Sequence, residues 1–356
     1  MISGLKGEKM IDFNSMCSNG NLIWGIDNKG VIYEIDIKKT VIRLVHWIKG
    51  INDENNHKFP VMCYCEGVII IAPSKGQRFW MYDPENRINT SLSNESPDSF
   101  VNFYESKECL FFVSREGSRI AVYDKRKKCI EINEIHEINS AHISEYETRG
   151  GCVLDNSESR IVSFVYGTNV IYEMDLKNGF RVENKIYMNK PIAFAHKFVD
   201  SILAVATDGS FWRKRENDIS ELVMPTEAAK CDNAPFHYWT KIEDSLVFMP
   251  CAMNMVLKYK NGDLKVEKIC STSVEINDSG HRGIFPCCSF GNNKMFGMSK
   301  YEDSFYVIDI DGTDMQKIEF IIDYDTVGIS GFMNDMANNG RIIAEGEFGI
   351  SLEGFL

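Results

Sequence analysis

A short pattern that returns along nearly the whole chain constrains the fold more than any other feature. It is an apolar, alternating stretch that ends in Asp or Asn and breaks at once into a polar turn. Its clear copies are GVIYEID (30–36), RFWMYD (78–83), RIAVYD (119–124), NVIYEMD (169–175) and SFYVIDID (304–311). Weaker copies are SFWRKREN (210–217) and MVLKYKNG (255–262). The closing residues Asp36, Asp83, Asp124, Asp175, Asn217, Asn261 and Asp309 return about every 45 residues, a period that suits a four-stranded sheet unit and exceeds most helical repeats.

Alternation such as Val31, Tyr33 and Ile35 against Ile32, Glu34 and Asp36 is the period of a β-strand, and it turns one face toward a neighbouring sheet. The terminal Asp or Asn bonds backbone groups just downstream and so starts a hairpin. Asn178-Gly179, Asn261-Gly262 and Asp311-Gly312 offer the positive φ angles that a tight hairpin needs. An apolar stretch precedes each anchor: 21–27, 67–73, 109–114, 160–166, 201–207, 245–250 and 294–299. Less regular stretches lie further upstream, at 13–18, 61–66, 99–105, 151–156, 192–198, 237–242 and 284–290. These units predict an all-β propeller of about seven four-stranded blades. Residues 321–356, which include the strand-like 341–350, leave an eighth blade open, with inner strands from that tail and an outer strand from 5–12.

No linker or low-complexity stretch divides the chain, so residues 1–356 read as one propeller domain. Helical periodicity is missing apart from possible single turns at 227–232 and 332–339. No apolar run approaches a membrane span, and the first residues lack a signal-peptide core, which predicts a cytoplasmic protein. Eleven cysteines, odd in number and irregularly spaced, read as reduced thiols. A net charge of −12 argues against nucleic acid or an acidic membrane surface as partner. The basic run Lys125–Lys128 falls where a hairpin tip is expected.

In unit length and in its recurrent Φ-x-Φ-Asp strand ends, the chain resembles the β-propeller superfamily, WD40-like and kelch-like. The Gly-His and Trp-Asp pairs of WD40 repeats do not recur from unit to unit, nor does the double glycine of kelch repeats. Phe13, Asn14, Met16 and Cys17 also resemble the FN-x-MC start of poorly characterised bacterial propellers. That resemblance implies a fold and no activity.

Chemistry-bearing motifs are sparse. Cys287 and Cys288 are adjacent, so a strand turns them to opposite faces, and no Cys-x₂₋₄-Cys pair suits zinc; no metal and no cofactor is expected. G-x-S-x-G, HExxH and P-loop patterns are absent, and His281 with Cys287 or Cys288 is a pairing that composition alone would generate. One constellation repeats: Arg149 before Gly150-Gly151 and His281-Arg282 before Gly283, each leading into an inner strand. Glycine permits close backbone approach, and arginine offers a planar donor fork. Arg149, Arg282, His281 and His237 are therefore the candidate ligand-binding residues around the channel mouth, with Arg149 and Arg282 expected to face a common cavity. The competing reading pairs each arginine with a local carboxylate or carbonyl. Trp239 joins the candidates as an aromatic of the Phe236–Trp239 run, and Phe79-Trp80 and Phe211-Trp212 should each bury one ring and expose the other. The expected function is a non-catalytic interaction or ligand-binding propeller for a protein or a small anionic or sugar ligand. The alternative is a hydrolase or lyase acting on a sugar or acyl substrate in the channel mouth.

Overall fold

The computed structural model describes residues 13–48 except 28–29, 60–138 except 116, 150–154, 160–198 except 166 and 177–178, and 200–225 except 217. It further describes 238–249, 255–269, 287–298, 305–310 and 315–323. Their strands form seven blades. The first is β1 (Phe13–Ser18), β2 (Leu22–Asp27), β3 (Val31–Asp36) and β4 (Val41–Trp47). The second is β5 (Val61–Cys65), β6 (Val68–Ala72), β7 (Trp80–Asp83) and β8 (Ile88–Ser91). The third is β9 (Phe100–Glu105), β10 (Cys109–Ser114), β11 (Arg119–Asp124) and β12 (Cys129–Glu134). The fourth is β13 (Gly150–Leu154), β14 (Arg160–Val165), β15 (Val170–Asp175) and β16 (Arg181–Tyr187). The fifth is β17 (Ile192–Lys197), β18 (Ile202–Ala206), β19 (Phe211–Arg215) and β20 (Asp218–Glu221). The sixth is β21 (Tyr238–Ile242), β22 (Ser245–Met249), β23 (Met255–Lys260) and β24 (Asp263–Ile269). The seventh is β25 (Cys287–Gly291), β26 (Lys294–Met298), β27 (Phe305–Asp309) and β28 (Met315–Ile318), followed by β29 (Ile321–Asp323). Within each blade, consecutive strands pair antiparallel in chain order, and the blades close into a ring. The chain is a seven-bladed β-propeller.

Burial grades outward from the axis, and the sequence shows why. Every residue of β6 (VIIIA) and β18 (ILAVA) is buried, because second strands have a blade packed on both faces and so read as continuous apolar runs. The outer strand β16 (RVENKIY) buries no residue. Between blades the side chains interlock as aromatic pairs, such as Phe79 with Phe112 at 5.4 Å and Phe194 with Phe248 at 5.4 Å, both edge-on. Each buried ring contributes on the order of 1.5–3 kcal/mol in apolar transfer alone.

The third-to-fourth turns of blades one to three differ from those of blades five and six. In the first three blades the closing Asp accepts two backbone N–H bonds on one oxygen: Asp36 from Lys38 and Lys39, Asp83 from Glu85 and Asn86, Asp124 from Arg126 and Lys127. Each turn then ends on a left-handed residue, Thr40, Arg87 or Lys128, at φ of 53°, 55° and 52°. Blades five and six differ. Arg215 pairs directly with Asp218 and Lys260 with Asp263, so Asn261 belongs to a two-residue turn and not to a strand end as the repeat suggested, while position 217 lies outside the described residues. Asn261 and Gly262, at φ of 56° and 93°, have the hairpin geometry that dipeptide implies.

The first and seventh blades meet directly, so an eighth blade has no place between them. Phe13, Met16 and Ile23 share one apolar cluster with Phe296, Phe305 and Ile318. Asn292 Nδ2 donates to the Gly20 carbonyl at 2.7 Å. A side chain at Gly291 would place its Cβ 2.8 Å from the Gly20 Cα, so the two turns approach as only glycine allows. Residues 321–323, which the eight-blade option assigned to an extra unit, instead pair parallel with the outer strand β4, Ile321 opposite Val41 and Asp323 opposite Arg43. Residues 5–12, 227–232, 332–339 and 341–350 lie outside the described residues.

Candidate functional site

Antiparallel order within every blade sorts the connections onto two ends of the ring. First-to-second and third-to-fourth turns share one end; second-to-third turns and the links between blades share the other. The first end is made of tight turns, such as 66–67, 243–244, 292–293 and 261–262. The second carries the long segments 48–60, 92–99, 135–149, 222–237 and 270–286. Functional loops belong on such an end, positioned by a rigid scaffold.

Arg149, His237, His281 and Arg282 fall within these interblade segments and lie outside the described residues. Trp239 is described. It sits on β21, half-buried, with its ring 4.9 Å from Phe194 and 5.8 Å from His196 on blade five. The paired aromatics divide as strand alternation demands: Phe79 and Phe211 are fully buried, whereas Trp80 and Trp212 are half-exposed.

Two polar clusters organise the long-connection end among the described residues. In blade three, Arg119 on β11 grips the buried Asp98 and also reaches Glu134 at 3.1 Å. This ties segment 92–99 to the third strand, while Ser96 Oγ donates to the Asp98 carbonyl at 2.8 Å. In blade five, Lys190 Nζ donates to Asp208 at 2.7 Å and lies 5.4 Å from the Trp212 ring centroid. Partial burial acts to raise the Asp208 carboxyl, but the Lys190 and Ser210 bonds outweigh it and bring it down to about 2. Both clusters are internally paired and rigidify loop bases.

His196, also strongly displaced, lies near the opposite end of β17. Burial, helped by the positive charge of Lys241, pushes its imidazole down to about 3, so it is neutral at physiological pH. His196 and Asp208 therefore share no mouth, and no acid–base couple of the kind catalysis needs is assembled among the described residues. No group of three or more His, Cys, Asp or Glu there could hold a metal ion. The described cysteines Cys17, Cys63, Cys65, Cys109, Cys129 and Cys288 are all free thiols, and burial raises Cys17 and Cys63 well above the usual range. Lys125 departs from the expected solvated tip: it is buried, with its ammonium on Glu105 at 2.7 Å and on the Ser106 carbonyl at 2.8 Å. Among the described residues no helix is long and apolar enough to cross a membrane.

Two features escaped the sequence reading. Three inner strands carry a bulge at their second residue, Asn14, Val101 and Ala193, which irregular alternation conceals. His196 was visible as the middle of Phe194-x-His196-x-Phe198 on one strand face, but its isolation needed coordinates.

No family model and no curated protein matches this sequence. Solved propellers do. The streptogramin B lyase structure is similar at 13% identity with a TM-score of 0.54, over 88% of this chain and 95% of that one. A chain of the mitotic checkpoint complex is similar at 11% identity and 0.54, over 90% and 93%. The WD40 propeller domain of Doa1 is similar at 12% identity and 0.53, over 88% and 94%. At these identities the likeness establishes the fold alone.

Proposed function

We propose that the protein is a non-catalytic recognition platform, a single cytoplasmic unit spanning 1–356. It receives a protein or a small anionic or sugar ligand on the end of the ring that carries the long connections and the channel mouth. The observation that carries this reading is the contrast between the two ends: one closed by short turns, the other bearing connections such as 222–237 and 270–286. Long segments on a rigid ring supply a variable contact surface at little cost in ordering the scaffold. Arg149, Arg282, His281 and His237 belong to those segments, and two arginines across a channel mouth favour an anionic group between them. A similar propeller within the mitotic checkpoint complex agrees with a role in assembly.

A photo-crosslinking residue at 149 or 282 should capture a discrete cellular partner, and one at 86 or 244 should not. Equal capture from both ends, or capture from the tight-turn end alone, would end this reading. For a small ligand, Arg149→Ala and Arg282→Ala should each abolish binding with the thermal midpoint unchanged.

The second reading is a hydrolase or lyase acting on a sugar or acyl substrate in the channel mouth. It rests on the similarity to streptogramin B lyase. Turnover of an ester or glycoside that disappears in Arg282→Ala would replace the platform with this enzyme.

A further inference from the structure

Each of the seven blades is complete with four strands, so β29 (Ile321–Asp323) belongs to none of them. It is the shortest described strand, and it makes the one parallel pairing among the described strands. Only Glu319 and Phe320 separate it from β28, and the Phe320 ring meets Phe305 edge-on at 5.2 Å. The chain thus leaves the outer strand of blade seven and lies along the outer strand of blade one. Ile321 stands opposite Val41, Ile322 opposite Ile42 and Asp323 opposite Arg43, so β29 engages the first three of the 7 residues of β4.

The strand that β29 covers is unlike the other outer strands. β4 reads VIRLVHW, polar only at Arg43 and His46. Two or more charged residues stand in each of β12 (CIEINE), β16 (RVENKIY), β20 (DISE) and β24 (DLKVEKI). β8 (INTS) and β28 (MQKI) are only 4 residues long. Charge and shortness are the usual means of keeping an edge strand from pairing with other chains. β4 is long, and its one formal charge, Arg43, is engaged by Glu34 at 3.6 Å. Ile42 and Leu44 pack on the apolar cluster shared by blades one and seven. What protects this edge is a strand laid upon it.

We propose that the outer edge of β4 is an acceptor site for an extended segment of a partner protein, which pairs parallel to β4 in place of β29. Main-chain bonds carry strand addition of this kind, and alternate side chains select the strand. The occupant in cis shows which chemistry fits: an apolar residue opposite Ile42 and an acidic one opposite Arg43. A second apolar residue opposite Leu44 continues the pattern. Displacing β29 undoes three residues of pairing and no blade, and parallel pairs are slightly less stable per residue than antiparallel ones. The short tether gives β29 a high effective concentration, which a partner overcomes by pairing along more of β4. This wall of blade one lies away from the channel mouth, so the platform reading and this one stand or fall separately.

The test adds a fluorescein-labelled peptide with the sequence of residues 318–327, IEFIIDYDTV, to the full chain. The double variant Ile321→Pro, Ile322→Pro removes two successive backbone donors and so weakens the strand in cis. The peptide should bind this variant saturably and at least tenfold more tightly than the wild type, and a scrambled peptide should bind neither. Hydrogen exchange in the complex should slow at 41–47 and stay unchanged at 181–187 in β16. No saturable binding to the double variant, or equal slowing in both strands, overturns the site. If the double variant fails to fold, hydrogen exchange on the unaltered protein decides. Excess peptide must then speed exchange at 321–323 while 41–47 stays protected, and an unmoved rate at 321–323 overturns the site. A wild-type dimer that the peptide dissociates would give the edge to a second copy of this chain and overturn the partner reading.

Discussion

The seam between blades seven and one and the interface between blades five and six do the same job by different means. At the seam two turns touch through glycine, and a polar side chain reaching across, Asn292, finds a carbonyl. At the five–six interface, bulky rings hold the blades apart: Phe194, Phe198 and Trp239 pack around His196, whose nitrogens meet no partner among the described residues. Closure by backbone approach leaves little to tune. Closure by large side chains with polar tips makes the interface sensitive to protonation, to bound solutes and to substitution.

Acid should separate the two regions most. His196 is held neutral, at about 3 against an ordinary 6.5. Its stability contribution is intact above pH 6.5 and is lost as pH falls toward 3, because the unfolded chain takes up the proton first. The cost is about 1.4 kcal/mol per pH unit, so about 3 kcal/mol at pH 4. Chemical denaturation at pH 7 and pH 4 should show this extra loss in the wild type and not in His196→Phe. Equal losses in both proteins would break the comparison. Next in size, Gly291→Ala should destabilise by about 2 kcal/mol, since the added methyl meets backbone with nowhere to yield. The same method at pH 7 measures it, and a neutral result would show that the seam can open.

Asn292→Gly keeps the left-handed φ of 51° and removes only the bond to Gly20, so a loss of about 1 kcal/mol is expected in a denaturant titration. Smallest is the turn at the end of β3. Asp36→Ala should cost about 0.5–1 kcal/mol by freeing two backbone N–H groups, and Asp36→Asn should restore most of it. A loss in Asn equal to that in Ala would mean that the ion pair with Lys39, and not the turn, carries the effect.

The blades were legible because each repeats one local code: a continuous apolar second strand, an alternating third strand and a turn-forming Asp. Asp36, Asp83 and Asp124 announced their hairpins through chemistry that acts within three residues. Asn261 misled by one turn type, since a two-residue hairpin also begins with Asn. The parallel pairing of 321–323 on β4 was hidden because nothing in IID distinguishes an edge strand from an inner one. Arg149 and Arg282 could be assigned to connections by sequence, but a side chain's partners depend on segments far away in the chain. The enclosure of His196 was equally out of reach, for it exists only once blades five and six have packed.

The ring is drawn wholly from consecutive strands, which has a kinetic consequence. Each blade can form from contacts local in sequence, in the order in which it is synthesised, much as a linear repeat array does. Closure is different: Asn292 meets Gly20 across 272 residues, and β29 must find the outer edge of a blade made long before. Joining ends so far apart carries a loop-closure entropy that no single blade bears. The nascent chain therefore ripens as an open arc, and until the last blade arrives β4 presents an unpaired edge to whatever strand comes first.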